Sequence, residues 1–201
     1  MNSPDILMAA QPVTEAFEKL GIPYYIGGSV ASSAYGIPRS TLDIDMVSDL
    51  KPEHVPQLVR MLEPSYFIDE DTIIDAIRRV SSFNLIHIET MMKIDVFIKS
   101  DTPYQTETFR RKKKDKLDEE QSSPELFLAS PEDIILNKLM WYRLGGCVSD
   151  RQWGDILGVL KIQKNELDRP YLNQWAIELN VSELLEKAFR DAGIDNEMVM
   201  K

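Results

Sequence analysis

Apolar positions along the first part of the chain follow helical spacing. Val13, Ala16, Phe17 and Leu20 share one face, and Gly21 and Pro23 then close the helix. Tyr24-Tyr25-Ile26 reads as a short strand ending in Gly27-Gly28, with Ser29 predicted to cap a second helix through about Tyr35. A strand is expected from about Thr41 to Val47, after the Gly36-Ile37-Pro38 break. Pro52 suits the first turn of a helix carrying Val55, Leu58, Val59 and Leu62, and Asp71 to Arg79 suits another short one. Two extended segments, about Phe83–Glu89 and Met92–Lys99, are close enough for an antiparallel hairpin, although no Asn-Gly or Asp-Gly marks the turn.

Beyond the basic run at 110–116 the period becomes helical. Ser130-Pro131-Glu132-Asp133 predicts a capped start with proline in the first turn, followed by Ile134, Ile135, Leu139 and Trp141; Gly145-Gly146 ends that helix. Ser149 with Gln152 predicts another start, for a helix carrying Trp153, Ile156, Leu157 and Leu160. Two more helices are expected over about Tyr171–Glu178 and Ser182–Ala192. The pattern predicts an α+β fold: a mixed α/β core over residues 1–125 and a helical C-terminal region over 126–201, packed on that core.

Composition narrows the class. The chain has 201 residues, 43% of them hydrophobic, which is enough for a sizeable core. No apolar run approaches the ~20 residues needed to span a bilayer. Met1-Asn2-Ser3-Pro4-Asp5 lacks the pattern of a signal peptide, and Cys147, the single cysteine, can form no intrachain disulfide. A soluble cytoplasmic protein with no membrane partner is expected. The net charge of -10 argues against broad binding to a nucleic acid backbone. Arg110-Arg111-Lys112-Lys113-Lys114-Asp115-Lys116 is a local exception, readable either as a solvated face or loop or as a surface for a polyanion.

The chemistry is concentrated in three acids. Strand side chains alternate, so Asp43 and Asp45 point the same way, ~7 Å apart at Cα, while Leu42, Ile44 and Met46 point the other way. The later strand repeats the pattern, with Lys93, Asp95 and Phe97 on one face. If the strands are neighbours, the three carboxylates converge and repel one another, and a divalent cation removes that repulsion. An all-oxygen ligand set favours Mg²⁺ or Mn²⁺ over zinc. Gly27-Gly28-Ser29, between a strand and a helix start, would let backbone N–H groups approach a phosphate; an ordinary strand-to-helix turn reads the same way.

Gly27-Gly28-Ser29, Asp43-Ile44-Asp45 and Lys93-Ile94-Asp95 together resemble the nucleotidyltransferase superfamily typified by DNA polymerase beta. Within it the chain looks most similar to the AbiEii-type enzymes of toxin–antitoxin pairs. Gly36-Ile37-Pro38-Arg39-Ser40-Thr41, Lys93, the segment from Ser130 to Leu139, and Asp150 with Asp155 carry that finer likeness. The resemblance implies a mixed sheet with flanking helices, a nucleoside triphosphate such as ATP as substrate, and two metal ions. Gly27, Gly28 and Ser29 would hold the triphosphate. Asp43 and Asp45 would ligate metal, and Asp95 would complete a metal site and help activate an attacking hydroxyl. Arg39, Lys93 and Lys138 are candidates for phosphate contacts. A cognate antitoxin is an implied partner.

Other readings of single residues stay open. Lys138 also fits a solvated position on an amphipathic helix, and Asp150 and Asp155 fit the cap and flank of one. Trp141 and Trp153 fit core positions better than a base-stacking platform. His54 and His87 are not spaced as a metal pair, His87 reading as structural or exposed, and Cys147 has no evident base. The functional expectation is transfer of an NMP group from an NTP to an acceptor hydroxyl on RNA, on a protein or on a small molecule. A nucleotide-binding regulatory or toxin–antitoxin protein with little catalysis is the alternative.

Overall fold

The computed structural model describes residues 3–117 and 124–194, so residues 195–201 of the expected helical region lie outside it. The chain divides into two compact units, Met1–Ala31 with Arg39–Ala129 and Ser32–Pro38 with Ser130–Lys201.

The first unit is built on a seven-stranded mixed sheet. Its strands are β1 (Tyr24–Ile26), β2 (Asp43–Ser48), β3 (Tyr66–Phe67), β4 (Ser82–His87), β5 (Lys93–Ile98), β6 (Lys113–Lys116) and β7 (Glu125–Leu128), in the order β3-β4-β5-β2-β1-β7-β6. The central pair β2 and β5 is parallel and starts from Asp43 opposite Lys93. β4 and β5 form the expected antiparallel hairpin. Its turn needs no Asn-Gly, because Met91 adopts a left-handed φ of 55° and donates its N–H to the His87 carbonyl, while the buried His87 ring bonds Thr90.

Alternation sets the two faces of this sheet. Ile44, Met46, Ile94, Val96, Phe83 and Leu85 are buried on one, as period-2 patterning requires. The helices of the unit are α1 (Ser3–Lys19), α3 (Val55–Leu62), α4 (Glu70–Arg79) and α5 (Pro103–Arg111). α1 packs on α3, α3 on α4 and α4 on β4; Phe17 meets Tyr24, and the Tyr66 hydroxyl reaches the Ala9 carbonyl. α5 and strands β3, β6 and β7 are additions to the sequence reading. α5 has a recognisable start, Thr102 capping Gln105 with Pro103 next, but it runs into the charged stretch where periodicity is lost. β6 is lysine-rich, which suits a sheet edge.

Helix α2 (Gly28–Tyr35) begins one residue before Ser29, so Ser29 lies inside its first turn and is not the cap. The second unit contains α6 (Pro131–Leu144), α7 (Asp150–Gln163), α8 (Arg169–Glu178) and α9 (Ser182–Ala192). Its buried hub is Asp133, which accepts bonds from the Ser130 hydroxyl at 2.7 Å and the Tyr171 hydroxyl at 2.6 Å, while Glu132 accepts the Asp168 N–H. Residues 32–38 belong to this unit because they lie against α7: a Cβ on Gly36 would come within 2.8 Å of the Val159 nitrogen, and Gln163 donates to the Tyr35 carbonyl. Trp141 is 55% exposed, contrary to its expected core position, and Trp153 is half-buried between Tyr142 and the Lys187 ammonium.

Candidate nucleotide and metal site

β2 and β5 bring the three acids onto one face of the sheet. Asp45 stands directly opposite Asp95, and Asp43 opposite Lys93. All three aspartates are half-buried, a consequence of one sheet face being packed and the other partly open. The turn after β1 closes on them. Gly27 donates its N–H to the Asp45 carbonyl at 2.8 Å, and Gly28 has a φ of 54°. A Cβ on Gly28 would lie 1.8 Å from Asp45 Oδ2, so the carboxylate occupies the space that any other residue would need. This puts Asp45 at the N-terminus of α2, where the helix dipole favours negative charge.

Arg39 bends over the same turn, donating to the Ser29 hydroxyl at 2.5 Å and to the Ser40 carbonyl at 3.1 Å. The Lys93 ammonium sits 2.6 Å from Asp95 Oδ2. That bond is the main reason the Lys93 amine is held above the usual lysine range, with the charges of Asp95, Asp43 and Asp45 adding to it. Asp43 accepts the Thr41 hydroxyl at 2.5 Å. The Lys93 ammonium thus lies at the edge of the three-carboxylate patch, against Asp95. Among the described residues no three His, Cys, Asp or Glu side chains form a ready-made metal cage. The donor set nevertheless fits a hard divalent cation: carboxylate oxygens alone, on adjacent strands and one face.

Lys138 lies in the second unit and is not the solvated lysine that one reading expected. It is 8% exposed, and its Nζ is 2.7 Å from Asp155 Oδ2. Asp155 is thus its buried counter-ion and not merely a helix flank, whereas Asp150 is exposed in the first turn of α7, as expected of a helix start. The basic run is divided by the fold. Arg110 pairs with Glu107, Lys113 and Lys114 are exposed on β6, and Lys112 turns inward, donating to the Tyr24 carbonyl and lying 4.4 Å from the Phe127 ring centre. Burial pushes the Lys112 amine below its usual range. Residues that sequence reasoning did not single out are Ser82 and Asn84 on β4, exposed opposite Phe97 and Asp95. Only pairing register could have found them.

No family model and no curated protein matches this sequence. Solved structures do match. An antigenic nucleotidyltransferase-like protein from Paracoccidioides brasiliensis shares 16% identity over 100% of this chain and 98% of that one, with a TM-score of 0.57. The antibiotic-resistance factor ANT(2'')-Ia shares 16% over 94% and 93%, with a TM-score of 0.53. The lincosamide antibiotic adenylyltransferase LnuA, lincomycin-bound, shares 15% over 81% and 98%, with a TM-score of 0.52. Likeness at this identity concerns architecture, and the fold of this chain is nucleotidyltransferase-like.

Proposed function

We propose that this protein is a metal-dependent nucleotidyltransferase that moves an NMP group from an NTP, such as ATP, to an acceptor hydroxyl. The observation that carries the reading is Asp45 held between the Gly28 turn and Asp95, which joins a phosphate-type turn to a carboxylate pair. Gly27, Gly28 and Ser29 would hold the triphosphate through backbone N–H groups and a hydroxyl, with Arg39 supplying charge. Lys138, already committed to Asp155, ranks behind Arg39 as a phosphate ligand. Asp43, Asp45 and Asp95 would hold Mg²⁺ or Mn²⁺. The bound metal would supply Lewis acidity at the phosphoryl oxygens.

The acceptor oxygen forms a bond to the α-phosphorus, the bond to the bridging oxygen of pyrophosphate breaks, and pyrophosphate leaves. Asp95 would take the hydroxyl proton as that bond forms. LnuA is named as an adenylyltransferase for lincosamides, and by analogy a small-molecule acceptor is the leading choice here. The finer AbiEii-type assignment, and with it a cognate antitoxin, rests on the sequence likeness alone. One observation favours a nucleotide-binding protein without turnover: the Asp95 carboxylate is tied to Lys93.

The test is transfer of label from an α-labelled NTP to components of cell extract, wild type against Asp43→Ala with Asp45→Ala. Transfer is expected to fall by about a thousandfold or more, the scale seen when charge stabilisation at the reacting centre is removed. Label transfer that survives the double substitution overturns the assignment. Stabilisation by Mg²⁺ and ATP without any transfer supports the regulatory reading.

A further inference from the structure

We infer that Ser82 and Asn84 on β4 form the acceptor half of this site, and that the acceptor is a small, neutral or cationic molecule bearing several hydroxyls. The inference rests on the nucleotidyltransferase reading above.

The two flanks of the carboxylate row differ in chemistry. On the β1 side lie the Gly27–Gly28 turn, the Ser29 hydroxyl and the Arg39 guanidinium, all suited to an anion. On the other side, β4 pairs with β5 so that Asn84 faces Asp95 and Ser82 faces Phe97. Residues opposite each other in a ladder share a face, so Asn84, Asp95 and Asp45 form one continuous row across three strands. Ser82, Phe97 and Val47 form the next row. Ser82 and Asn84 are exposed, whereas Phe83, Leu85 and His87 between and beyond them are buried on the opposite face. The open face of β4 is therefore a hydroxyl and an amide beside the half-buried ring of Phe97.

The cations of this flank lie off β4, with Arg78 and Arg79 ending α4 just before it and Lys99 following β5. β4 itself contains no lysine or arginine, Lys93 is bound to Asp95, and the hairpin turn adds exposed Glu89. An RNA acceptor would bring phosphates against the carboxylate row beside Asn84, which goes against the logic of polyanion binding. The exposed lysines of the basic run lie on β6, three strands from β2, a lateral distance of ~14 Å. A polyol or aminopolyol meets no such penalty. With adjacent strands ~4.8 Å apart, one hydroxyl can reach Asp95 while a neighbouring polar group reaches the Asn84 amide.

The experiment compares wild type with Asn84→Leu, which keeps the branched shape of the side chain and removes the amide at an exposed position. Both are melted with and without Mg²⁺ and ATP. Both are then incubated with α-labelled ATP and, separately, with the ultrafiltered small-molecule fraction of a cell extract, with its total RNA and with its protein. The expected result is label in the small-molecule fraction. Asn84→Leu should need about tenfold more of that fraction for half-maximal rate, the effect of losing one or two hydrogen bonds. Its ATP requirement and ATP-induced stabilisation should equal those of wild type. Label in RNA or protein instead, or identical acceptor dependence in the variant, overturns the inference. ATP stabilisation with no label in any fraction also overturns it, while leaving nucleotide binding intact. If Mg²⁺ and ATP fail to stabilise wild type, the underlying nucleotidyltransferase reading falls first.

Discussion

At the scale of single residues, Gly28 carries the strictest constraint. Its φ of 54° alone would cost an ordinary residue about 1–2 kcal/mol. Its Cα also lies against the Asp45 carboxylate, where a Cβ would come within 1.8 Å of an oxygen. Gly146 separates the two effects, because its φ is 76° and a Cβ there meets nothing within 4 Å. Gly146→Ala should cost only the conformational term in urea denaturation. Gly28→Ala should cost more, and should also abolish stabilisation by Mg²⁺ and ATP, since Asp45 must move. Equal losses for the two variants would show that the Gly28–Asp45 contact is not tight. Gly27-Gly28 was legible from sequence as a backbone turn; that an aspartate fills the missing side chain was not, because the two meet only through the β1–β2 pairing.

Among the elements, α6 and α7 are joined by the Lys138–Asp155 pair, whose side chains are 10% and 5% exposed. A buried ion pair need not stabilise relative to apolar residues, but breaking one side strands a charge. Asp155→Ala is expected to lower unfolding free energy by about 3–5 kcal/mol. The paired replacement Lys138→Met with Asp155→Leu should be clearly less damaging than Asp155→Ala alone in the same denaturation series. A double variant as unstable as the single one would place the stabilisation in packing and not in the charge balance. Helical period placed both residues on helices, yet it could not pair them, because residues seventeen apart in sequence meet only when α6 and α7 pack.

For the whole molecule, the net charge of -10 sets a background of self-repulsion. Raising NaCl from ~0.01 M to ~0.3 M shortens the screening length from ~30 Å to below ~8 Å and should raise Tm by a few degrees. Mg²⁺ at matched ionic strength should add a further increment. That increment should vanish in Asp43→Ala with Asp45→Ala, while the NaCl effect persists. A Mg²⁺ effect no larger than that of NaCl in wild type would reduce the carboxylate patch to one more source of repulsion. No helix among the described residues is long and apolar enough to cross a membrane.

The sequence by itself determined the period of each long element, the common face of Asp43 and Asp45, and the Gly27–Gly28 break, because these depend on spacing within one segment. Short or charged segments escaped it. β3 has two residues and β7 four, too few for a period, while β6 consists entirely of charged residues and gains its strand form from pairing with β7. Tertiary structure alone decided what lies beside what: Asp45 against Gly28 and opposite Asp95, Lys93 on Asp95, Lys138 on Asp155, and Asn84 at the end of the carboxylate row. Such neighbours come from strand register and helix packing between distant segments. A local pattern restricts those choices without selecting one, and the free energy that selects among them is that of burying all the faces together.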